Sequence, residues 1–258
     1  MKAIILAAGQ GTRLKKYTEK LPKGMLEFRG KTLIKHQIDT LRNVGIEDII
    51  IVKGFESNKI NYDHVRYYVN NDYATTNMVA SLLMAKKELN DDVIVCYSDI
   101  IYSEELINKM ITSETDIGVA VDTNWEEYWL KRYDKINFDT ESLDIENDKI
   151  VSLGVENPPL GTIDGRFIGL VKFSKRVLPK ILQILPSSLE YEEEWGKTEK
   201  KFKNIYMTDL LQELIHRDFE VEPIYTKNQW LEFDTNEDYE RAIKWSKNEL
   251  STLINISK

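Results

Sequence analysis

Short apolar runs alternate with amphipathic segments through the first half of the chain. The apolar runs are rich in β-branched residues, which is typical of strands buried on both faces of a parallel sheet. Between them, apolar residues recur at helical spacing. The predicted strands are 3–8, 49–52, 65–69, 93–97 and 117–121, and the predicted helices are 33–44, 76–85 and 104–111. This alternation predicts an α/β fold with a doubly wound, mostly parallel sheet and ligands at the carboxyl ends of its strands.

The second half alternates less regularly. Residues 166–173 predict a strand that returns to the main sheet, and 150–153 predict one side of an antiparallel pair. The charged stretch 191–203 is expected to be a solvated loop or mobile flap. Two late helices are predicted from capping residues. Thr208 could cap a helix that ends at Ile215, and Thr235 with Asp238 could form the capping box of a helix that ends at Trp245. No internal repeat interrupts the chain, so we expect a single domain, 1–258.

The glycine-rich turn after the first strand predicts a cradle for a polyphosphate. Small residues there, among them Gly9 and Gly11, let a ligand approach backbone N–H groups. Arg13 and Lys23 add positive charge. The spacing from Gly9 to Lys23 does not match a Walker loop, and Leu14 stands where a dinucleotide fingerprint needs its third glycine.

Two aspartates follow predicted strands and are candidate metal ligands. Asp99 comes after the run 93–97, and Asp234 ends a strand just before the helix capped by Thr235. Two carboxylates brought to one crevice make a hard-oxygen site suited to Mg²⁺, with Mn²⁺ as an expected substitute. Glu232 is a weaker candidate, because its side chain could point away from the metal at Asp234.

Composition and charge narrow the possible partners. The chain has 258 residues and a formal net charge of -8, so we expect no general nucleic-acid or anionic-membrane surface. No apolar stretch approaches the roughly 20 residues that span a bilayer, and the first apolar run lacks a signal-peptide cleavage site. The lone cysteine, Cys96, lies inside an apolar run and is expected to be buried and inert. These features predict a cytoplasmic protein that binds no membrane.

The motif G-x-G-T-R-L at Gly9–Leu14, followed by L-P-K-G-M at Leu21–Met25, resembles the nucleotidyltransferases that make nucleoside-diphosphate sugars and CDP-alcohols. The segment 73–82, with its T-N-M-x-x-S pattern, is similar to the phosphocholine cytidylyltransferase-like branch, as are 98–102, 121–132, 165–169 and 206–209. The resemblance spans nearly the whole chain. It departs from the sugar enzymes at Ser98, where they more often have glycine.

This resemblance implies a Rossmann-like, mixed and mostly parallel sheet of the GT-A-like nucleotidyltransferase fold. It implies that Lys23 and Arg13 are the catalytic cations and that Asp99 and Asp234 hold the metal. It divides the chain into a nucleotide-binding half, about 1–115, and an acceptor-binding half, about 116–258. The candidate nucleotide-binding residues are Leu6, Ala7, Ala8, Gly9, Gly11, Thr12, Arg13, Lys23, Asn77, Ser81 and Ser98.

Four residues of the second half are candidates for binding the acceptor. Asp122 ends a strand and could pair with a cationic amine. Trp125 and Trp129, four residues apart on a predicted helix, offer ring faces for cation–π contact worth ~0.5–2 kcal/mol. Arg132 could meet a phosphate or carboxylate of the acceptor.

Together these features predict a Mg²⁺-dependent cytidylyltransferase. It would transfer CMP from CTP to a small phosphorylated or phosphonylated acceptor that carries an amine, with release of pyrophosphate. Two alternatives remain open, a sugar-1-phosphate nucleotidyltransferase that uses UTP, dTTP or GTP, and a non-catalytic nucleotide-binding regulatory subunit. The sequence leaves the identity of the acceptor and the oligomeric state open.

Overall fold

A seven-stranded mixed sheet forms the centre of the molecule. The computed structural model describes residues 1–191 and 193–255. Its strands are β1 (Lys2–Ala7), β2 (Glu27–Phe28), β3 (Lys31–Thr32), β4 (Ile49–Lys53), β5 (Arg66–Val69), β6 (Val93–Tyr97), β7 (Ile100–Tyr102), β8 (Ile117–Asp122), β9 (Glu141–Glu146), β10 (Lys149–Glu156), β11 (Arg166–Phe173), β12 (Glu222–Thr226) and β13 (Trp230–Glu232). The central sheet has the order β12-β8-β11-β6-β1-β4-β5, and only β11 runs antiparallel to its neighbours. The predicted mostly parallel sheet is therefore confirmed.

Helices cover both faces of this sheet. They are α1 (Lys15–Thr18), α2 (Leu33–Asn43), α3 (Met78–Met84), α4 (Glu104–Thr112), α5 (Trp125–Tyr133), α6 (Leu178–Ile184), α7 (Met207–His216), α8 (Asn236–Ala242) and α9 (Lys247–Ser251). Within the described ranges, every helix is too short or too polar to cross a membrane.

The side chains of β1 divide between two cores, one on each face of the sheet. Ile5 belongs to the core that contains α2 and α4, whereas Ile4 belongs to the core that contains α3 and α7. Both are fully buried because β1 lies between β4 and β6. Burial on two faces explains why the parallel strands are continuous apolar runs in the sequence.

A small antiparallel pair, β7 with β13, brings two distant parts of the chain together. Glu232 lies opposite Ile100 in its register, and the backbone N–H of Phe233 donates to the carbonyl of Asp99 at 3.0 Å. The pairing therefore sets Asp99 beside Asp234. The sequence analysis did not predict β7, since its three residues give no periodicity.

Several predicted boundaries need correction. Helix α7 begins at Met207, and Asp209 caps it by accepting from the backbone N–H of Tyr206 at 2.7 Å, so Thr208 is not the cap. The predicted cap at Thr235 is confirmed, but α8 ends at Ala242, before Trp245. In the stretch 191–203, Glu192 lies outside the described residues. Trp195 and Phe202 in this stretch are buried, so it is packed onto the fold rather than a fully solvated loop.

Candidate active site

Lys23 lies at the centre of the site, between the two predicted metal ligands. Its Nζ donates to Asp99 Oδ2 at 2.5 Å and to Asp234 Oδ1 at 2.6 Å. Lys23 begins a short 3-10 turn after Pro22, and Asp99 follows the carboxyl end of β6. The fold thus brings together three of the predicted site residues from opposite ends of the chain.

Glycine is needed on both sides of this lysine. Gly11 has φ of +72°, and a Cβ there would lie 3.0 Å from the Lys23 side chain. A Cβ at Gly24 would lie 2.7 Å from the side chain of Ile34, which belongs to α2. Larger residues would therefore push the Lys23 turn away from the end of β1.

The charges of the site are strongly coupled. Burial disfavours the ammonium of Lys23, but the nearby carboxylates of Asp99 and Asp234 outweigh it and raise its pKa. Burial raises the pKa of Asp99 in spite of the attraction of Lys23. For Glu232, burial is outweighed by the charges of Arg132 and Arg166, which hold the pKa of its carboxyl well below its usual range.

Arg13 reaches the same carboxylate cluster from the glycine-rich turn. Its Nη2 lies 2.7 Å from Asp234 Oδ2, and its Nη1 donates to both oxygens of Asp139 at 3.1 Å. The side chain is 58% exposed, in contrast to the largely buried Lys23. An exposed guanidinium in this position is accessible to an incoming phosphate.

Two cavities meet at this cluster. The first has a volume of about 580 Å³ and extends toward β9, β10 and β11. The second has a volume of about 490 Å³ and extends along the glycine-rich turn toward α3. Both cavities are lined by Arg13, Asp99 and Asp234, together with Thr12, Met78, Tyr97 and Tyr206. The two cavities therefore adjoin at the carboxylates of Asp99 and Asp234.

Most of the predicted nucleotide-binding residues line the second cavity. These are Leu6, Ala8, Gly9, Gly11, Thr12, Arg13, Lys23, Asn77, Ser81 and Ser98. Asn77 donates to the carbonyl of Asn204 at 2.7 Å, and Ser81 accepts from the side chain of Asn70 at 3.0 Å. Ala7 is the exception. It ends β1 with its side chain in the core and does not line the cavity.

Asp122 lines neither of these two cavities. It is fully buried, and its Oδ2 accepts from the indole N–H of Trp230 at 2.8 Å. Its Oδ1 accepts from two backbone amides, those of Asn124 at 2.8 Å and Asn228 at 3.0 Å. Burial raises its pKa. This placement corrects the predicted contact with an acceptor amine, because both oxygens are engaged by donors within the protein.

The other three predicted acceptor residues are also interior. Trp125 and Trp129 lie on the face of α5 that packs into the core, and they line neither cavity. Arg132 is buried and donates to Glu232 Oε2 at 2.5 Å and to Asp238 Oδ2 at 2.6 Å. We reassign these side chains from acceptor contact to support of the cavity wall. Helical spacing predicted α5 but not which of its faces points inward.

The carboxylates fit a divalent cation. Asp99 Oδ1 is buried and has no hydrogen-bond partner within the described ranges, and both aspartates offer hard oxygen donors. No set of three His, Cys, Asp or Glu side chains in those ranges forms a dedicated cage. Two carboxylates suffice for Mg²⁺, which commonly takes its remaining ligands from phosphates and water. The Lys23 ammonium and a divalent cation compete for the same oxygens.

Sequence reasoning missed much of the first cavity. Arg166, Glu141 and Lys200 line it, as do Glu156 and Thr208. Glu141 is half-buried, and burial raises its pKa. For Arg166, the only indication in the sequence is the similarity of 165–169 to the phosphocholine cytidylyltransferase-like branch. The other residues lie on β9, on β10, in the stretch 191–203 and on α7, and only the fold brings these segments together.

Comparisons with known proteins agree with this architecture. Residues 3–191 match the MobA-like NTP transferase domain. The chain is 33% identical to the CTP:phosphoglutamine cytidylyltransferase of Campylobacter jejuni, over 95% of this chain and 100% of that protein. It is 33% identical to the choline-phosphate cytidylyltransferase of Streptococcus pneumoniae, over 59% of this chain and 68% of that one.

The solved structure of CTP:phosphocholine cytidylyltransferase from Streptococcus pneumoniae has a similar fold, with a TM-score of 0.72 and 23% identity over 94% of this chain and 97% of that one. The resemblance inferred from the glycine-rich turn and the L-P-K-G-M motif is therefore confirmed. The chain belongs to the MobA-like NTP transferase family and is a nucleotidyltransferase.

Proposed function

We propose that this protein is a Mg²⁺-dependent cytidylyltransferase that transfers CMP from CTP to a small phosphorylated acceptor carrying an amine. The observation that carries the proposal is the meeting of two cavities at Asp99 and Asp234, the two carboxylates that Lys23 bridges. Group transfer between two substrates needs this arrangement, because the reacting atoms must be held in contact.

The second cavity is the proposed nucleotide site, formed mainly by residues of about 1–115. Backbone N–H groups of the turn at Gly9–Gly11 and the charge of Arg13 would hold the triphosphate. Asn77, Ser81 and Ser98 would contact the nucleoside. The first cavity, formed mainly by residues of about 116–258, would hold the acceptor.

In the proposed reaction, an oxygen of the acceptor phosphate attacks the α-phosphorus of CTP. The bond from that phosphorus to the bridging oxygen breaks, and pyrophosphate leaves in line with the attack. Lys23 and Arg13 would offset the negative charge that develops on the phosphoryl oxygens. A divalent metal is typical of the family, and Mg²⁺ bound by Asp99 and Asp234 would supply further charge neutralisation.

The relatives support this choice of nucleotide and acceptor. The names of the phosphoglutamine enzyme and of the solved phosphocholine enzyme include CTP, and phosphoglutamine and phosphocholine are small phosphorylated molecules that contain nitrogen. A CMP-5'-(3-aminopropyl)phosphonate synthase of Streptomyces rubellomurinus is 25% identical over 46% of this chain and 20% of that one. Such a reaction belongs in the cytoplasm, where nucleoside triphosphates are available.

A pyrophosphate-release assay tests the proposal. Each of CTP, UTP, dTTP, GTP and ATP is supplied with Mg²⁺ and a panel of phosphorylated amines and hexose 1-phosphates. We expect turnover with CTP and an amine-bearing acceptor, and a loss of turnover by orders of magnitude in Lys23→Ala. Turnover of UTP, dTTP or GTP with a hexose 1-phosphate alone would instead make this a sugar enzyme. Nucleotide binding without turnover of any pair would favour a regulatory subunit.

A further inference from the structure

Arg13 joins the glycine-rich turn to the segment that connects α5 and β9. Its Nη1 donates to both oxygens of Asp139 at 3.1 Å, and its Nη2 lies 2.7 Å from Asp234 Oδ2. Asp139 belongs to the proposed acceptor-binding half and lies 126 residues after Arg13 in the chain. This ion pair therefore bridges the two proposed substrate sites.

The two side chains differ in the cavities that they reach. Arg13 lines both cavities, whereas Asp139 lines the first and not the second. A triphosphate in the second cavity is thus placed to contact Arg13, and a cationic group in the first is placed to contact Asp139. In the absence of ligands, each of these two charges is engaged by the other.

Asp139 is held in place by contacts that do not involve Arg13. On one side of it, the carbonyl of Phe138 accepts from the indole N–H of Trp129 at 2.8 Å. On the other side, the carbonyl of Thr140 accepts from the backbone N–H of Asn157 at 2.9 Å. These two hydrogen bonds keep Asp139 at the cavity wall when Arg13 is drawn away. Its carboxylate would then have no other cation within ion-pair distance among the described residues.

Asp139 differs in its partner from Glu232, another carboxylate of the first cavity. Glu232 is paired with Arg132, which is buried and lines neither cavity. Asp139 is paired with Arg13, which is exposed and is one of the proposed triphosphate ligands. Nucleotide binding would therefore change the charge that is available at Asp139 and leave that of Glu232 unchanged.

We propose that Arg13 is exchanged between Asp139 and the triphosphate, so that the nucleotide and an amine-bearing acceptor strengthen each other's binding. The proposal rests on the cytidylyltransferase function and adds how its two substrate sites are coupled. The triphosphate draws Arg13 away from Asp139, and the freed carboxylate then attracts the ammonium group of the acceptor. By linkage, an ammonium group at Asp139 releases Arg13 to the triphosphate to the same extent.

Binding measurements without turnover test the coupling. The nucleotide is an analogue of CTP with a methylene group in place of the oxygen between the α- and β-phosphorus, which cannot release pyrophosphate. Phosphoethanolamine is compared with propyl phosphate, and phosphocholine with 3,3-dimethylbutyl phosphate, because the members of each pair differ in the cationic nitrogen. Isothermal titration calorimetry in Mg²⁺ gives the Kd of the analogue with each compound present at saturation. In at least one pair, we expect this Kd to be about 2- to 5-fold lower with the cationic member, as for an exposed ion pair.

Asp139→Asn removes the charge that competes for Arg13. Without any acceptor, it should lower the Kd of the analogue about 2- to 5-fold, and it should remove most of the difference within each pair. Asp134→Asn is the matched control. Asp134 lies in the same segment, has a φ of +56° against +52° for Asp139, pairs with Arg241 and lines neither cavity. Asparagine tolerates this backbone conformation, so neither variant should lose its fold, which the melting temperature checks.

The outcomes separate this proposal from the proposed function. An Asp139→Asn variant that binds the analogue as wild type does, or more weakly, would overturn the exchange, since a carboxylate that only orients Arg13 would weaken binding when it is replaced. Equal values of Kd within both pairs for wild type would overturn the coupling. Both results are compatible with CMP transfer from CTP in the pyrophosphate-release assay. Absence of CMP transfer to any acceptor in that assay would overturn both proposals.

Discussion

Replacing Lys23 with methionine tests whether its ammonium serves as the cation of the carboxylate site when no metal is bound. Methionine keeps an unbranched chain of similar length and removes the charge and the hydrogen bonds to Asp99 and Asp234. We expect Lys23→Met to lower the free energy of unfolding in EDTA. We also expect Mg²⁺ to stabilise this variant more than the wild type, because the ion no longer competes with the ammonium.

The magnitude follows from the contacts. At 2.5 and 2.6 Å, each carboxylate attracts the ammonium by about 6–7 kcal/mol at an effective dielectric constant of 20. Desolvation offsets much of this, since the side chains of Lys23, Asp99 and Asp234 are 11%, 17% and 4% exposed. Removing one partner of a buried ion pair typically costs about 3–5 kcal/mol. Because Arg13 still faces Asp234, we expect about 3 kcal/mol.

Thermal unfolding in EDTA and in Mg²⁺ measures both effects. For a domain of this size, about 3 kcal/mol corresponds to a melting temperature roughly 6–12 °C lower. Lys16→Met is the matched control, because Lys16 forms an ion pair of the same length with Glu240 but is 61% exposed. It should change little in either buffer. A Lys23→Met variant that melts within about 2 °C of wild type in EDTA, or that gains no more from Mg²⁺ than wild type does, would refute the reasoning.

Two further predictions concern buried polar groups outside the reaction centre. Asp122→Asn should lower the free energy of unfolding by about 1–3 kcal/mol, because its amide cannot accept from both the indole of Trp230 and the backbone amides. In steady-state kinetics its KM for acceptor should stay near wild type, and a selective rise would return Asp122 to the acceptor site. Burial lowers the pKa of His36 below its ordinary 6.5, although a hydrogen bond to the Phe28 carbonyl opposes this. The stability that neutral His36 contributes is present above that ordinary value and is lost as the pH falls through its folded pKa. The melting temperature of His36→Gln should therefore fall less than that of wild type between about pH 7.5 and 5. The melting temperature of the control, the exposed His64→Gln, should fall as much as that of wild type. Equal decreases in all three proteins would contradict the prediction.

The chain's sequence by itself determines most strands of the central sheet, the glycine-rich turn and several residues of the candidate site. The strands β1, β4, β6 and β8 are readable because burial on two faces requires continuous apolar runs. Gly11 and Lys23 are readable as candidate site residues because a glycine-rich turn followed by a cation is a short-range pattern in the sequence. Asp99 is readable because strand direction alone places the residue after β6 at the ligand edge.

Only the tertiary structure decides which side chains face the ligand. A period of two or of 3.6 residues shows that a strand or helix has faces, but the direction of each face depends on the neighbouring elements. Asp122 and Trp129 are therefore interior, although their residue types suit an organic cation. Arg166 on β11 and Glu141 on β9 line one cavity, and the short pair β7–β13 sets Asp99 beside Asp234. Such contacts join residues far apart in the chain, and no local pattern encodes them.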